Sequence, residues 1–177
     1  HVLSVRNECK ELLFVVERET DGREPSVRCI NFGLDGMQSF SFTLEEERSA
    51  VLVPAGQVGT YLYEPNASVL KAGAFKQIAV RTGVKKLQVN SHLYTSDHLV
   101  SDFPGRRFRV DEVLSFTGKL CKGLSKTIPQ ANITVRNFPL SVEELRKRTK
   151  ITDGGHVYLF ATTLVDGEKV LVKCSKA

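Results

Sequence analysis

Residues 131–148 read ANITVRNFPLSVEELRKR and decide the fold, because they encode a strand, a turn and a capped helix in succession. Ile133 and Val135 alternate with polar residues, which predicts a strand covered on one face. Ser141 with Glu144 three residues later fits a capping box, in which hydroxyl and carboxylate each satisfy a backbone N–H. The segment therefore predicts a strand that is followed by a well-defined helix.

The pattern on either side of this segment is equally regular. Leu120, Leu124 and Ile128 recur at helical spacing, which predicts a second amphipathic helix. The pair Asp166-Gly167 lies between two apolar runs and predicts a hairpin near the C-terminus. The order β-α-β-α-β-β indicates a two-layer α/β sandwich with both helices on one face. Its other predicted strands are residues 108–114, 157–164 and 169–174.

The first 60 residues are typical of strands. Apolar residues that alternate with polar ones predict strands, and Asp21-Gly22 and Asp35-Gly36 predict the turns between them. We expect a three-strand meander followed by a loop over residues 44–60. The strand predictions are an opening strand at 2–5, an apolar run at 12–16, and alternating segments at 26–32 and 38–43; residues 8–12 are also compatible with a helical turn.

A helix is predicted between this segment and the sandwich. Leu70, Ala74 and Ile78 lie on one stripe, Gly83 suits the C-terminal end, and a short strand over residues 85–89 follows. We therefore predict an α+β chain in three parts. These are a β-rich segment over residues 1–60, a helix-containing segment over 61–104, and the α/β sandwich over 105–177.

The charge is concentrated in the C-terminal part. The chain has 177 residues and a net charge of +5, but residues 106–177 hold 14 Lys and Arg against 7 Asp and Glu. The remaining 105 residues hold 11 against 13, so their charge is −2. Such asymmetry is compatible with a polyanionic partner and also with a solvated basic surface.

Other sequence features exclude several classes of protein. Apolar runs fall short of the roughly 20 residues that span a bilayer, and the start is not a signal peptide, so we expect a cytoplasmic protein without a membrane partner. The four cysteines are widely scattered, which argues against a zinc site. The chain opens on a predicted strand and on His1, not Met, so we expect a piece of a longer protein.

Few residues are candidates for chemistry. Glycine motifs for nucleotide binding are absent from the sequence, and no catalytic or metal-ligating set is predicted. His92 and His98 do not have the spacing of a zinc enzyme, and a loop in which Ser96 and Asp97 bond to nearby backbone is the better interpretation. A substrate-contact loop is a further candidate, although tyrosines before a helix commonly serve as packing anchors. Its residues are Tyr61, Tyr63, Glu64, Asn66, His92, Tyr94 and Asp97.

Basic residues are the candidates for nucleic-acid binding. Cations that neutralise phosphates give salt-sensitive binding with little sequence preference. The candidates are Arg106, Arg107, Arg109, Lys119, Lys122, Lys126, Arg136, Arg146, Lys147 and Arg148.

The same segments carry a family resemblance. Together, residues 131–141, 144–147, 153–155 and 158–163 resemble the THUMP-like C-terminal domain of a family of bacterial class I SAM-dependent methyltransferases. Upstream, residues 7–12, 61–66, 71–75 and 90–97 resemble the same proteins. The resemblance implies a C-terminal fragment whose parent binds SAM in an upstream methyltransferase domain, with no cofactor bound by the fragment itself.

Three functions remain open. By analogy with true THUMP domains, the resemblance implies a non-catalytic region that positions RNA for the upstream catalytic domain. The alternative is a structural module that stabilises the methyltransferase domain or a dimer without binding nucleic acid. An independent enzyme would require a deep pocket with perturbed titratable groups around Glu64, His92 or Asp97.

Overall fold

The computed structural model describes residues 1–18, 22, 24–34 and 36–177. Within these residues the chain forms eleven strands and five helices in two sheets. Contacts divide the chain into two compact units. The first unit comprises His1–Val53, Glu64–Val84 and Val100–Arg106, and the second comprises Pro54–Tyr63, Lys85–Leu99 and Arg107–Ala177. The α+β class is confirmed, while the three-part division by chain order stays a prediction.

A four-stranded sheet lies at the start of the chain. Strand β1 pairs antiparallel with β2 and parallel with β3, and β3 pairs antiparallel with β4, giving the order β2-β1-β3-β4. The expected three-strand meander is therefore wrong, because β1 inserts between β2 and β3. The strands are β1 (Val2–Val5), β2 (Glu8–Leu12), β3 (Ser26–Gly33) and β4 (Gly36–Thr43).

The structure also differs from the sequence predictions at residues 8–16. Strand β2 ends at Leu12, and Phe14 and Val16 are 88% and 89% exposed, so the apolar run 12–16 is not a buried strand. Residues 8–12 form a strand and not a helical turn. The turn residues Asp21 and Asp35 lie outside the described residues, whereas Gly22 and Gly36 have φ of 75° and 119°.

The predicted loop over residues 44–60 begins with a helix. Helix α1 (Leu44–Ser49) starts at a capping box in which the Thr43 hydroxyl accepts from Glu46 N at 3.1 Å. The Glu46 carboxylate accepts in turn from Thr43 N at 2.7 Å. The sequence already contains the signal for this helix, because Thr43 and Glu46 have the same capping-box spacing as Ser141 and Glu144.

The single predicted helix around residues 66–83 is two short helices. Helix α2 (Ala67–Ala72) ends at Gly73, whose φ of 79° is left-handed, and helix α3 (Gln77–Thr82) ends at Gly83 with φ 72°. Gly83 therefore ends the second helix as expected. Gly73 interrupts the stripe because its left-handed backbone cannot continue the first helix.

A seven-stranded sheet forms the larger part of the fold, in the order β6-β7-β5-β8-β11-β10-β9. From residue 105 onward the elements follow the predicted order β-α-β-α-β-β, with two helices between the strands. The strands are β5 (Tyr61–Pro65), β6 (Lys85–Lys86), β7 (Tyr94–Ser96), β8 (Gly105–Ser115), β9 (Asn132–Arg136), β10 (Tyr158–Thr163) and β11 (Lys169–Lys176); the helices are α4 (Gly118–Thr127) and α5 (Val142–Thr149).

Two apolar clusters cover opposite faces of the strands in the second unit. Leu171 belongs to the cluster that includes Leu124 and Leu145 of the two helices, whereas Val170 and Val172 belong to the other cluster. Neighbouring residues of one strand point to opposite faces, so this division places α4 and α5 together on one face. In the described part of the chain, no helix has the length and apolarity to cross a bilayer.

Candidate nucleic-acid interface

Helix α4 separates its buried residues from its lysines. The Thr117 hydroxyl caps the helix by accepting from Leu120 N at 3.1 Å, and Cys121 and Leu124 are buried. Lys119, Lys122 and Lys126 are all exposed. Their i, i+3, i+7 spacing puts the lysines on the side of the helix that is turned away from the core.

Helix α5 begins where the sequence predicts. The Ser141 hydroxyl accepts from Glu144 N at 3.2 Å, and the Glu144 carboxylate accepts from Ser141 N at 2.8 Å, which completes the capping box. Leu145 is fully buried, and helices α4 and α5 pack against each other. Lys147 and Arg148 of α5 are exposed.

Arg146 differs from its two neighbours because it is held by the protein itself. Its guanidinium donates to Ala131 O at 3.2 Å and to Ile151 O at 3.3 Å, and it forms an ion pair with Asp153. These contacts tie the end of α5 to the loop that follows it. Arg146 therefore acts as a structural clamp and offers little charge to a ligand.

Arg106 is also engaged. Its Nε donates to Glu64 Oε2 at 2.8 Å, and Nη2 contacts the same oxygen. The Glu64 side chain is only 2% exposed, so this pair neutralises a buried carboxylate. Glu64, a candidate for substrate contact, thus has a structural role in the first unit.

The other arginine candidates lie on strands. Arg107 and Arg109 are on β8, and Arg136 is half-buried on β9, near enough to lower the pKa of His92. The structure therefore does not bring all ten basic candidates together. It gathers five exposed cations on the helix pair, which we call the α4–α5 cation face: Lys119, Lys122, Lys126, Lys147 and Arg148.

One carboxylate lies close to the α4–α5 cation face. Hydrogen bonds from the backbone and from Ser141 lower the pKa of Glu143, and the charges of Arg146 and Lys147 lower it further, so Lys147 is partly neutralised by this carboxylate. Among the residues that the structure describes, no carboxylate forms an ion pair with any of its five members. Unpaired surface cations of this kind are available to phosphate groups.

A small cavity opens beside the α4–α5 cation face. It has a volume of about 200 Å³ and is lined by Phe116, Gly118, Cys121, Lys122 and Arg148. Sequence reasoning identified the two cations but missed the other three residues. Their signal was weak, because an aromatic residue at the end of a strand and a glycine after a helix cap are each common features of ordinary turns, and a lone cysteine is commonly a buried core residue.

The tyrosines of the candidate substrate-contact loop are core residues. Tyr63 and Tyr94 are 0% exposed and face each other across β5 and β7. The Tyr63 hydroxyl donates to His98 O at 2.9 Å. Asn66 caps α2 by accepting from Val69 N at 3.2 Å. Of this group, Tyr61 is half-buried and only Asp97 is exposed.

His92 lies in the connection between β6 and β7 with a left-handed φ of 51°. Burial, with the positive charges of Lys86 and Arg136, lowers its pKa to about 4, so the ring is neutral at pH 7. Ser96 donates to His98 O at 2.8 Å and accepts from His98 N at 3.1 Å, as the loop interpretation predicts. Across the described residues, no group of three potential metal ligands occurs.

Comparisons with known proteins agree with the fold. Residues 61–104 match a family described as a ferredoxin-like domain, and residues 105–176 match one described as THUMP domain-like. A comparison with curated proteins found no match. The chain is similar over its full length to a protein from Porphyromonas gingivalis W83 whose crystal structure is described as that of a "putative methyltransferase", with 44% identity and a TM-score of 0.91.

The chain spans 45% of the length of that Porphyromonas protein, so the similarity covers less than half of it. The structural and family matches together identify a ferredoxin-like domain followed by a THUMP-like domain.

Proposed function

We propose that this chain is an accessory region of an RNA methyltransferase, in which the THUMP-like domain binds RNA and positions it for a catalytic domain upstream. The methyl donor SAM is bound by that upstream domain. The α4–α5 cation face contacts the sugar-phosphate backbone. In this proposal the chain itself carries out no chemistry.

The α4–α5 cation face is the observation that carries the proposal. Its five cations come from two packed helices and are exposed, and among the described residues none of them forms an ion pair with a carboxylate. Each cation that meets a phosphate releases condensed counterions, which favours binding at low salt. The similarity to the Porphyromonas protein supports the methyltransferase context, and the THUMP-like match supports RNA as the polyanion.

A titration of the chain with structured RNA at increasing salt tests the proposal. We expect measurable binding at low salt and a steady loss of affinity as salt rises, because phosphate contacts dominate. Heparin, a polyanion without bases or ribose, serves as a comparison for unspecific charge attraction. No RNA binding at the lowest salt would contradict the proposal, and so would an affinity for RNA that does not fall as the salt rises.

An exposed apolar row in the first unit favours the second candidate function, a structural module. Val5, Phe32 and Met37 are register partners on three adjacent strands and are 40%, 46% and 62% exposed. Adjacent exposed apolar side chains of this kind mark interaction surfaces. In this alternative the row contacts the methyltransferase domain or a second copy. Sedimentation of the wild type and of Phe32→Ser tests it: concentration-dependent association that the substitution abolishes would support a dimer.

A further inference from the structure

The cavity beside the α4–α5 cation face combines an aromatic wall with two cations, and we refer to it as the α4–α5 cavity. We propose that the α4–α5 cavity binds one unstacked base of single-stranded RNA, while Lys122 and Arg148 contact the adjoining phosphate. This inference rests on the proposed RNA-binding function and names the form of RNA and the place of the contact.

The aromatic wall is held in a fixed orientation. The Phe116 ring meets the Phe138 ring edge-on, with centroids 4.9 Å apart and planes at 79°. Phe116 is half-buried and lines the cavity, so its ring position is set before a ligand arrives. Bases of single-stranded RNA stack on such rings, and a preset ring has less entropy to lose on binding.

The rest of the cavity suits a planar, largely apolar group. Burial raises the pKa of the Cys121 thiol, so it stays protonated and acts as an apolar wall. Gly118 adds no side chain, which leaves space over the start of α4. The volume of about 200 Å³ is below the roughly 300 Å³ at which pockets for larger ligands begin, so it fits a ring system and not a whole nucleotide.

The two cations complete the match to a nucleotide. Lys122 lies on α4 and Arg148 on α5, so they approach the cavity from two helices. Arg148 is close enough to act on the pKa of Cys121, which places its charge at the cavity. A guanidinium binds phosphate through several N–H donors and also stacks on bases.

This arrangement selects single strands over duplexes. In a duplex the bases are paired and stacked, so proteins contact duplex RNA mostly through its phosphates and 2′-hydroxyls and cannot take a base into a cavity. Single-stranded loops and ends can turn a base out. The α4–α5 cation face would therefore hold either form, whereas the α4–α5 cavity would add affinity only for single strands.

Gly118 on α4 and Gly56 in the loop before β5 provide a matched test. A Cβ atom added at either glycine would meet nothing within 4 Å, and neither has a positive φ, so both accept a side chain. Gly118 lines the α4–α5 cavity, whereas Gly56 is exposed and is not part of its lining. Gly118→Leu therefore adds bulk at the cavity without removing a charge, and Gly56→Leu makes the same change away from α4 and α5. Thermal melting of both variants checks that the fold is retained.

The experiment measures affinity for an oligouridine strand and for an RNA duplex of equal length. We expect Gly118→Leu to weaken binding of the strand about tenfold, the effect of losing one stacked base, and to leave duplex binding unchanged. Gly56→Leu should bind both as the wild type does. In a strand carrying the fluorescent base 2-aminopurine, the emission should change on binding to the wild type and not on binding to Gly118→Leu.

Two different failures are distinguishable. If the wild type binds RNA but both glycine variants bind the strand equally well, the cavity proposal is overturned and the RNA-binding function stands. If the wild type binds neither strand nor duplex, the RNA-binding function fails and the cavity proposal fails with it.

Discussion

Removing three lysines from α4 should change the salt dependence of RNA binding by a predictable amount. Lys119, Lys122 and Lys126 share the outer side of the helix, are exposed, and have no carboxylate partner among the described residues. Lys→Ala at all three sites keeps the buried residues and favours the helix, since alanine is the best helix former. The triple variant should therefore fold normally and lose charge only.

The magnitude follows from the number of charges. For a single strand, each phosphate contact adds roughly 0.7 to the slope of log affinity against log salt, so three contacts add about 2. At a salt concentration of about 0.1 M, each contact contributes roughly fivefold, and the triple variant should bind about 100-fold more weakly. The difference should shrink toward zero as the salt approaches about 1 M.

The control removes the same charge elsewhere in the second unit. Lys85, Lys169 and Lys176 are exposed and lie on strands, so replacing all three by alanine also lowers the net charge by three. Fluorescence anisotropy at several salt concentrations gives both slopes. If the two triple variants lose the same affinity and slope, the protein attracts RNA by its overall charge and the reasoning about a localised face is wrong.

Further predictions concern residues that the structure assigns to stability. Arg106→Ala should lower the free energy of unfolding by about 3 kcal/mol in urea titrations, because it leaves the buried Glu64 carboxylate without its guanidinium. A loss below about 1 kcal/mol would mean that the pair behaves as an exposed one. Gly105→Ala should cost about 3 kcal/mol, since the new Cβ would lie 2.8 Å from a backbone carbon and against the Glu64 carbonyl, whereas Gly118→Ala meets open space. Equal melting temperatures of the two glycine variants would contradict this. His92→Asn should flatten the pH dependence of the melting temperature: the folded His92 resists protonation until about pH 4 and the unfolded one protonates near 6.5, so the wild type loses stability as the pH falls between these values. Asparagine tolerates the left-handed backbone, and an unchanged pH profile would show that His92 does not titrate in this way.

The sandwich was predictable because its signals are local. Alternation at Ile133 and Val135, the capping box of Ser141 and Glu144, and the helical spacing around Leu124 each specify one element without help from distant contacts. These elements have the bounds that the sequence indicates to within a few residues. Their order then leaves few ways to form two layers.

The first unit was harder because its organisation depends on pairing at a distance. Nothing local indicates that β1 inserts beside β3, since the parallel pairing of Val2 with Cys29 joins residues that are far apart in sequence. The apolar run ending at Val16 was wrongly predicted as a strand, because a short apolar run does not distinguish a buried strand from an exposed segment. Helix α1, by contrast, could have been predicted, because the capping box at Thr43 is visible in the sequence.

The candidate site was predictable in its charges and not in its shape. The lysines of α4 could be assigned to one side from their spacing, and Arg148 from its position in the helix. Whether an arginine is engaged depends on tertiary partners, as the contacts of Arg146 with Ala131 and Asp153 demonstrate. The cavity wall at Phe116 likewise depends on how two helices pack.

Ultraviolet crosslinking of the chain to a single-stranded RNA, followed by mass spectrometry of the attached peptides, tests the central claim most directly. We expect crosslinks concentrated in peptides from residues 116–126 and 147–150, which carry the α4–α5 cation face and the wall of the α4–α5 cavity. Crosslinks spread over the whole surface, or confined to the four-stranded sheet of residues 2–43, would contradict it.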